Sequence, residues 1–396
     1  MTGTKALYNH AHTWARYLMV ITGAFGIGGG IAAVNRLVMK AIDDHEGQEY
    51  HLDVLSLLEQ GEPLESHYFH PERVSYQCFA GNRVRFILAL WRKLASTRYD
   101  WVHCDLVSLA ASMAPWAWAG RCRYTVWLYG MDVFSLLPGW RGKIGLRGAW
   151  KRLAISEYTR DRVLERYDVS ITTCELALDP VKYGVEMPEL ESGTNLHPPI
   201  ALVAADGNKR MLGAQVILHV GRMASREQYK GQDVLIRTMP AVLSQFPRAQ
   251  LVLAGHGDDL PRLLSLARSM SNDVRSAVFL PGYVPDSELD ELYNACYLFA
   301  MPSVGEGFGL VYLEAMRRAK PCIGGKVDAT PCVVEDGVTG LLVDDPRSPE
   351  QVAQAILHLM QQPEQASGMG IAGYQRVRTR FLFPHFVERF WKIIEA

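Results

Sequence analysis

Pro302-Ser-Val-Gly-Glu-Gly-Phe-Gly-Leu-Val-Tyr-Leu-Glu314 follows an apolar run at 297 to 301 and turns through Gly305, Gly307 and Gly309 into a helical pattern. A strand that passes through a glycine-rich turn into a helix is the unit of an open α/β sheet, whose ligands bind at the carboxyl ends of its strands. The glycines let backbone N–H groups face an anion, and the amino end of a helix starting at Leu310 favours negative charge. Glu306 then sits in the turn. Glu314, about one helical turn in, can accept hydrogen bonds from a pair of hydroxyls. The plain reading of the same pair is a solvated loop residue and a surface helix residue.

Upstream, Ile217-Leu-His-Val-Gly-Arg222 is an apolar strand that delivers an arginine at its carboxyl end, and Tyr229-Lys230-Gly231 opens another helical pattern. Arg222 as a flat fork and Lys230 as a mobile point charge suit a diphosphate. Strand patterns recur near 50–55, 99–103, 124–129 and 152–156, with helices between them such as Arg83–Ser96. They recur again near 216–220, 249–254, 277–280, 297–301, 321–324 and 340–343. Two βαβ arrays in series predict two Rossmann-like domains, in keeping with 396 residues, a length beyond the roughly 250–300 at which single cores stop growing. Pro188, Pro198, Pro199, Gly193, Asn195 and Gly207 mark 185–213 as a linker. Ser348-Pro-Glu-Gln351 reads as a capping box, and Phe386, Phe390, Trp391 and Ile394 form the apolar stripe of a last helix.

Tyr17 to Val34 is apolar but reads as a strand at 17–23, a loop at 24–30 ending in Gly28, Gly29 and Gly30, and a helix from Ile31. Crossing a membrane takes about 20 apolar residues in one helix, and no small-residue cleavage signal follows. A net charge of −1 argues against nucleic acid as a partner. Seven cysteines without a CxxC pair read as reduced thiols of a cytoplasmic protein, neither a disulfide framework nor a zinc site. No Asp-x-Asp stands at a strand end, and Asp258-Asp259 and Asp344-Asp345 read as turn acids, so no metal is expected. His103, at a strand end, is a core histidine or faces a cleft. His256 lies in a loop that can approach a ligand.

In order, Val220-Gly-Arg222, Tyr229-Lys-Gly231, Leu253-Ala-Gly-His-Gly257, Phe279-Leu-Pro-Gly-Tyr-Val284 and Glu306 to Glu314 resemble the donor domain of family-4 retaining glycosyltransferases of the GT-B fold, over roughly 215 to 365. The resemblance implies two Rossmann-like α/β domains facing each other across a cleft. Residues 1–190 would bind the acceptor, 191–213 would link, and 214–377 would bind the nucleotide-sugar donor. A helix at about 378–396 would cross back to the first domain. It implies catalytic roles for Glu306, Arg222 and Lys230. Substrate contacts are implied for Gly28, Gly29, Gly30, Tyr129, Asp132, Gly255, Val284, Gly307, Phe308, Gly309, Leu310 and Glu314. It further implies a front-face transfer in which the leaving phosphate takes the acceptor's proton, with a nucleoside-diphosphate sugar as co-substrate and no cofactor.

Many members carry His-Gly-x-Asp or His-Gly-x-Glu where this chain has Tyr129-Gly-Met-Asp132. A tyrosine, with an ordinary pKa near 10, cannot move a proton near neutrality as histidine does. Asp132 could orient Tyr129, meet the acceptor or cap a turn. Basic and aromatic residues mix at 83–93 and at 140–152, as in glycosyltransferases that act on lipid-linked or lipopolysaccharide acceptors. Such stretches suit an anionic membrane surface at its cytoplasmic face, or are core tryptophans with solvated cations. The expected function is sugar transfer to a saccharide or lipid-linked hydroxyl in bacterial surface polysaccharide, lipopolysaccharide or glycolipid assembly. The alternatives are another GT-B enzyme, a phosphorylase or epimerase, and an inactive sugar-nucleotide-binding protein, the last suggested by Tyr129.

Overall fold

The computed structural model describes residues 14–25, 29–46, 49–61, 66–130, 139–187, 190 and 199–396. Gly28 and Asp132 lie outside them. The first lobe holds a parallel sheet of β1 (Ala15–Ile21), β2 (Tyr50–Ser56), β3 (Val74–Cys78), β4 (Trp101–Cys104), β5 (Tyr124–Leu128), β6 (Lys151–Ala154) and β7 (Thr172–Thr173), in the order β3-β2-β1-β4-β5-β6-β7. A hairpin of β8 (Ala201–Val203) and β9 (Lys209–Met211) precedes the second lobe. There a second parallel sheet runs β12-β11-β10-β13-β14-β15, from β10 (Val216–Val220), β11 (Gln250–Ala254), β12 (Val278–Gly282), β13 (Leu298–Met301), β14 (Cys322–Gly325) and β15 (Gly340–Val343).

Both sheets reverse their winding beside their first strand, at β1/β4 and at β10/β13. Loops leaving the carboxyl ends diverge there and open a crevice. The strands form because they bury both faces: Leu18, Met19, Val20 and Ile21 of β1 and Ile217 and Leu218 of β10 are shut off from solvent.

Several boundaries differ from the sequence reading. β1 ends at Ile21, two residues before the expected end at 23, because Thr22 already turns toward Asp105. β3 was not anticipated; its burial alternates down an edge strand, a weaker signal than a continuous apolar run. The hairpin β8/β9 falls inside the stretch read as linker. Gly207, at φ +90°, makes its turn, and Ala205 N–H donates to Val278 O at 2.8 Å, joining the hairpin to the second sheet. The Ser348 hydroxyl does accept from Gln351 N–H at 3.2 Å, but the Gln351 side-chain Oε1 takes the Asp345 N–H instead of closing the box.

The helix Pro363–Arg380 stays with the second lobe, where Gly370 leaves room for Ala319 O: a Cβ there would stand 2.0 Å from it. The next helix, Phe383–Glu395, crosses back. Trp391 Nε1 donates to Ala41 O at 3.1 Å, Phe390 meets Trp101 edge-on at 5.6 Å, and Phe386 stacks on Trp127. At the crossing Arg380 grips Glu175 through two hydrogen bonds of 2.7 and 2.9 Å. The seven cysteines are free, and among the described residues no helix is long and apolar enough to cross a membrane.

Because Trp391 supplies both packing and a hydrogen bond to the first lobe, Trp391→Ala is expected to cost about 3–5 kcal/mol in denaturant unfolding, the usual range for emptying a buried large aromatic. Unchanged stability would show that this helix is not part of the first lobe's core.

Candidate active site

The crevice is built from loops at both switch points. On the first lobe Thr22 N–H and Oγ each donate to Asp105 Oδ2 at 2.6 Å, and Asn35 Nδ2 donates to the same oxygen at 3.1 Å. Burial lifts Asp105 to about 6 against these hydrogen bonds. His103 is a core histidine. Its Nε2 meets Asn35 Oδ1 at 3.0 Å, and burial pushes its pKa down to about 3, so it stays neutral. Gly29 and Gly30 start the helix Gly30–Glu46, and a Cβ on Gly29 would lie 3.8 Å from the Arg222 guanidinium carbon. The two switch points therefore face each other.

On the second lobe Arg222 follows β10, is 56% exposed, and pairs with Glu227 at 2.5 Å. Lys230 Nζ pairs with Glu306 Oε1, both largely buried. Burial opposes the ammonium charge, but Glu306 beside it outweighs burial and raises the lysine above its ordinary value. Glu306 is held by main chain as well: its N–H donates to Asp328 Oδ2 at 2.8 Å and its carbonyl accepts from Ala329 N–H at 3.1 Å. His219, under this turn, donates from Nδ1 to Ala300 O at 3.1 Å and is held neutral by burial, with a pKa of about 3.

The glycines act through clearance. A Cβ on Gly307 would stand 1.9 Å from Tyr129 O, and one on Gly130 would stand 3.1 Å from Gly307 Cα, so the lobes touch main chain to main chain. Gly255, at φ +145°, leaves equal room for Gly221 O. Gly309, at φ +92°, starts the helix Leu310–Met316, which is only seven residues long.

Not every residue singled out from sequence offers its side chain to the crevice. The Tyr129 ring lies in the core beside Trp127 with its hydroxyl buried, and the residue meets the crevice through its carbonyl. Phe308 is 2% exposed and packs edge-on against Phe381. Leu310 is half-buried, as is Val284 next to Tyr283, a residue 68% exposed whose ring is edge-on to His256. Glu314 accepts from Tyr293 Oη at 2.9 Å, and the Tyr183 hydroxyl, raised by burial and then by the charge of Glu314, lies beside it.

Glu227, Asp328, Asp105 and Tyr183 were not picked out from sequence. Asp328 follows the exit of β14, so the rule that found Arg222 could have found it. The other three depend on tertiary partners that no local pattern announces. Among the described residues no group of three or more His, Cys, Asp or Glu could hold a metal ion.

Residues 214–362 match the family described as glycosyl transferases group 1, and residues 28–176 match glycosyltransferase family 4. The chain is 30% identical over 275 residues to the GDP-mannose-dependent alpha-(1-6)-phosphatidylinositol monomannoside mannosyltransferase of Mycobacterium tuberculosis, covering 66% of this chain and 67% of that one. It is 32% identical over 200 residues to the D-inositol 3-phosphate glycosyltransferase of Segniliparus rotundus, covering 50% of this chain but 43% of that protein. Sucrose-phosphate synthase from Thermosynechococcus elongatus superposes with a TM-score of 0.75 at 19% identity, covering 96% and 98% of the two chains. Anabaena HepE bound to UDP-glucose gives 0.71 at 16%, covering 96% and 99%. These structural likenesses establish the two-lobed GT-B arrangement.

The contact at Gly307 is open to a direct check. Gly307→Ala is expected to wedge the lobes apart and raise the radius of gyration in small-angle scattering, whereas Gly368→Ala, in open space, leaves it unchanged. Equal radii for the two variants would mean that the lobes do not meet there.

Proposed function

The chain belongs to the group 1 glycosyltransferases of family 4, and we propose that it moves a hexose from a nucleoside-diphosphate sugar to a hydroxyl acceptor, with retention of anomeric configuration and without a metal ion. The observation that carries this reading is the meeting of Arg222, Lys230 and Glu306 at one pair of strand exits, with Gly29 opposite. Breaking the anomeric bond leaves negative charge on the diphosphate. Fixed cations at that position stabilise the transition state more than the ground state.

Arg222 grips the diphosphate as a fork. Lys230 stays protonated at neutral pH because Glu306 raises its pKa, and it supplies a second positive charge. Glu306 binds sugar hydroxyls and supports oxocarbenium-like charge, and the leaving phosphate takes the acceptor's proton. Glu314 accepts from the ribose hydroxyls, with Tyr293 fixing one of its oxygens. The main chain at Gly255 and Val284 borders the base. No carboxylate pair at these exits calls for a divalent ion, since Arg222 and Lys230 already neutralise the leaving group.

The acceptor side points to a lipid surface. Arg83 to Arg98 holds five cations and no acid, as does Trp140 to Arg152. On the helix Arg83–Ser96, Phe86, Leu90 and Leu94 face the core while Val84, Leu88 and Trp91 are exposed, as are Trp118 and Trp140 on neighbouring helices over the same core layer. Exposed apolar side chains on cation-rich segments fit an anionic bilayer. The acceptor we favour is therefore a lipid-linked saccharide of a bacterial surface glycoconjugate or glycolipid, in line with the phosphatidylinositol monomannoside named for one relative.

Purified protein offered single UDP- and GDP-sugars is expected to consume one of them, by transfer or slow hydrolysis, equally well with excess EDTA. Glu306→Ala and Lys230→Ala should each lower turnover by about 100-fold, as loss of one preorganised contact does. A protein that bound nucleotide yet consumed no donor would be the inactive binder. Activity abolished by EDTA and restored by Mn²⁺ would overturn the metal-free leaving-group site.

In sedimentation assays the protein should bind phosphatidylglycerol vesicles, lose that binding as salt rises, and ignore phosphatidylcholine vesicles. Replacing Trp91, Trp118 and Trp140 together by alanine should weaken it. No vesicle binding at low salt would remove the membrane from this account.

A further inference from the structure

The turn leaving β1 is held by a carboxylate that lies outside the site described above. Glu59, three residues past β2, is 5% exposed. Its Oε1 accepts from the consecutive N–H groups of Ala24, at 3.0 Å, and Phe25, at 2.5 Å. Its Oε2 accepts from Ser56 Oγ at 2.6 Å and Tyr76 Oη at 2.5 Å. Its main-chain carbonyl accepts from Ala80 N–H at 3.0 Å, so one residue ties the exits of β1, β2 and β3 together.

The held segment is clamped from the other side too. Ala24 O accepts from Arg36 Nη1 at 2.7 Å, and the Phe25 ring packs against Tyr68 and Tyr76. Four residues past Phe25, Gly29 stands against Arg222 and anchors its helix, its carbonyl taking Ala33 N–H at 3.1 Å.

Burying a carboxylate carries a desolvation cost even after the protein relaxes. A leucine would fill the same space without that cost. What leucine lacks is an acceptor aimed at two successive amides, which sets the direction of the main chain as well as its height.

We infer that Glu59 is a positioning residue for transfer: its carboxylate fixes Ala24 and Phe25, which Arg36 ties to the helix behind Gly29, so that Gly29 is set against Arg222 when the diphosphate is bound. This inference rests on the function proposed above. Glutamine can do most of the same work, because its carbonyl oxygen accepts from both amides while its NH₂ donates to the oxygens of Ser56 and Tyr76.

The test compares Glu59→Leu, Glu59→Gln and Tyr76→Phe with wild type by thermal melt, calorimetry with UDP and GDP, donor turnover, and amide hydrogen exchange of peptides covering 22–25 and 29–35. Glu59→Leu is expected to bind the nucleotide within about twofold of wild type and to lose at least about 30-fold in turnover, since a 1 Å misplacement can cost about 100-fold. Exchange should rise in those peptides and nowhere in the second lobe. Glu59→Gln should restore turnover to within about threefold and exchange to the wild-type level.

Wild-type turnover in Glu59→Leu, or a Glu59→Gln variant as impaired as the leucine, would overturn the inference. If Glu59→Leu does not fold, Tyr76→Phe decides through the same readouts: faster exchange at 22–25 supports the grip, and unchanged exchange overturns it. Exchange needs no turnover, so a chain inactive toward every donor would sink the proposed function while the grip of Glu59 is still decided.

Discussion

Everything at the crevice depends on main chain lying against main chain with no side chain between. The Tyr129 carbonyl occupies the place where Gly307 would carry a Cβ, and Gly221 O does the same at Gly255. Any other residue at either glycine would bring a Cβ to 1.9 Å from a carbonyl oxygen and force the strand exits apart. With the contact between Gly307 and Tyr129 closed, Gly29 of one lobe faces the Arg222 guanidinium of the other, 3.8 Å from where its Cβ would stand. Gly307 and Gly130 thus set how near the lobes approach, while Gly255 sets how closely two strand exits of the second lobe lie together.

The charges in the crevice are arranged before any ligand arrives. Lys230 leans on Glu306 and Arg222 on Glu227, so each cation already has a direction and a partner. A diphosphate entering such a site finds oriented charge and pays little for reorganisation, which is the condition under which electrostatics lowers a barrier. The histidines nearby are excluded from proton traffic: burial keeps His103 and His219 neutral far below physiological pH. Tyr129 also has its hydroxyl buried. None of these three side chains stands ready to exchange a proton near neutrality.

Strand–turn–helix units were legible in sequence wherever both faces of a strand are buried, because a continuous apolar run bounded by glycine needs no partner to be recognised. That is why Val216–Val220 and the turn after Met301 were found with the residues they carry. β3 and the hairpin Ala201–Met211 were not, since an edge strand has one wet face and a hairpin strand of three residues has no period. Residue type at a strand exit located Arg222, Lys230 and Glu306. It did not reveal that Phe308 turns away to Phe381 or that Tyr129 contributes its carbonyl, because side-chain direction in a turn is settled by what packs behind it. Glu59, Asp105 and Glu227 stayed hidden for a related reason: a buried carboxylate looks like any surface acid until its donors, 3 to 83 residues away, are folded onto it.

The helix Phe383–Glu395 gives the chain an order of assembly. Phe386 and Phe390 fill the apolar surface around Trp101 and Trp127, on strands made early in translation. Domains tend to fold as they emerge, amino-terminal first. Here the lobe made first is covered by a helix made after the second: while the ribosome synthesises the whole second lobe, one flank of the earlier sheet lacks that cover. That interval exposes tryptophan surface to any chaperone or neighbouring nascent chain, and it ends when the helix Phe383–Glu395 closes over it.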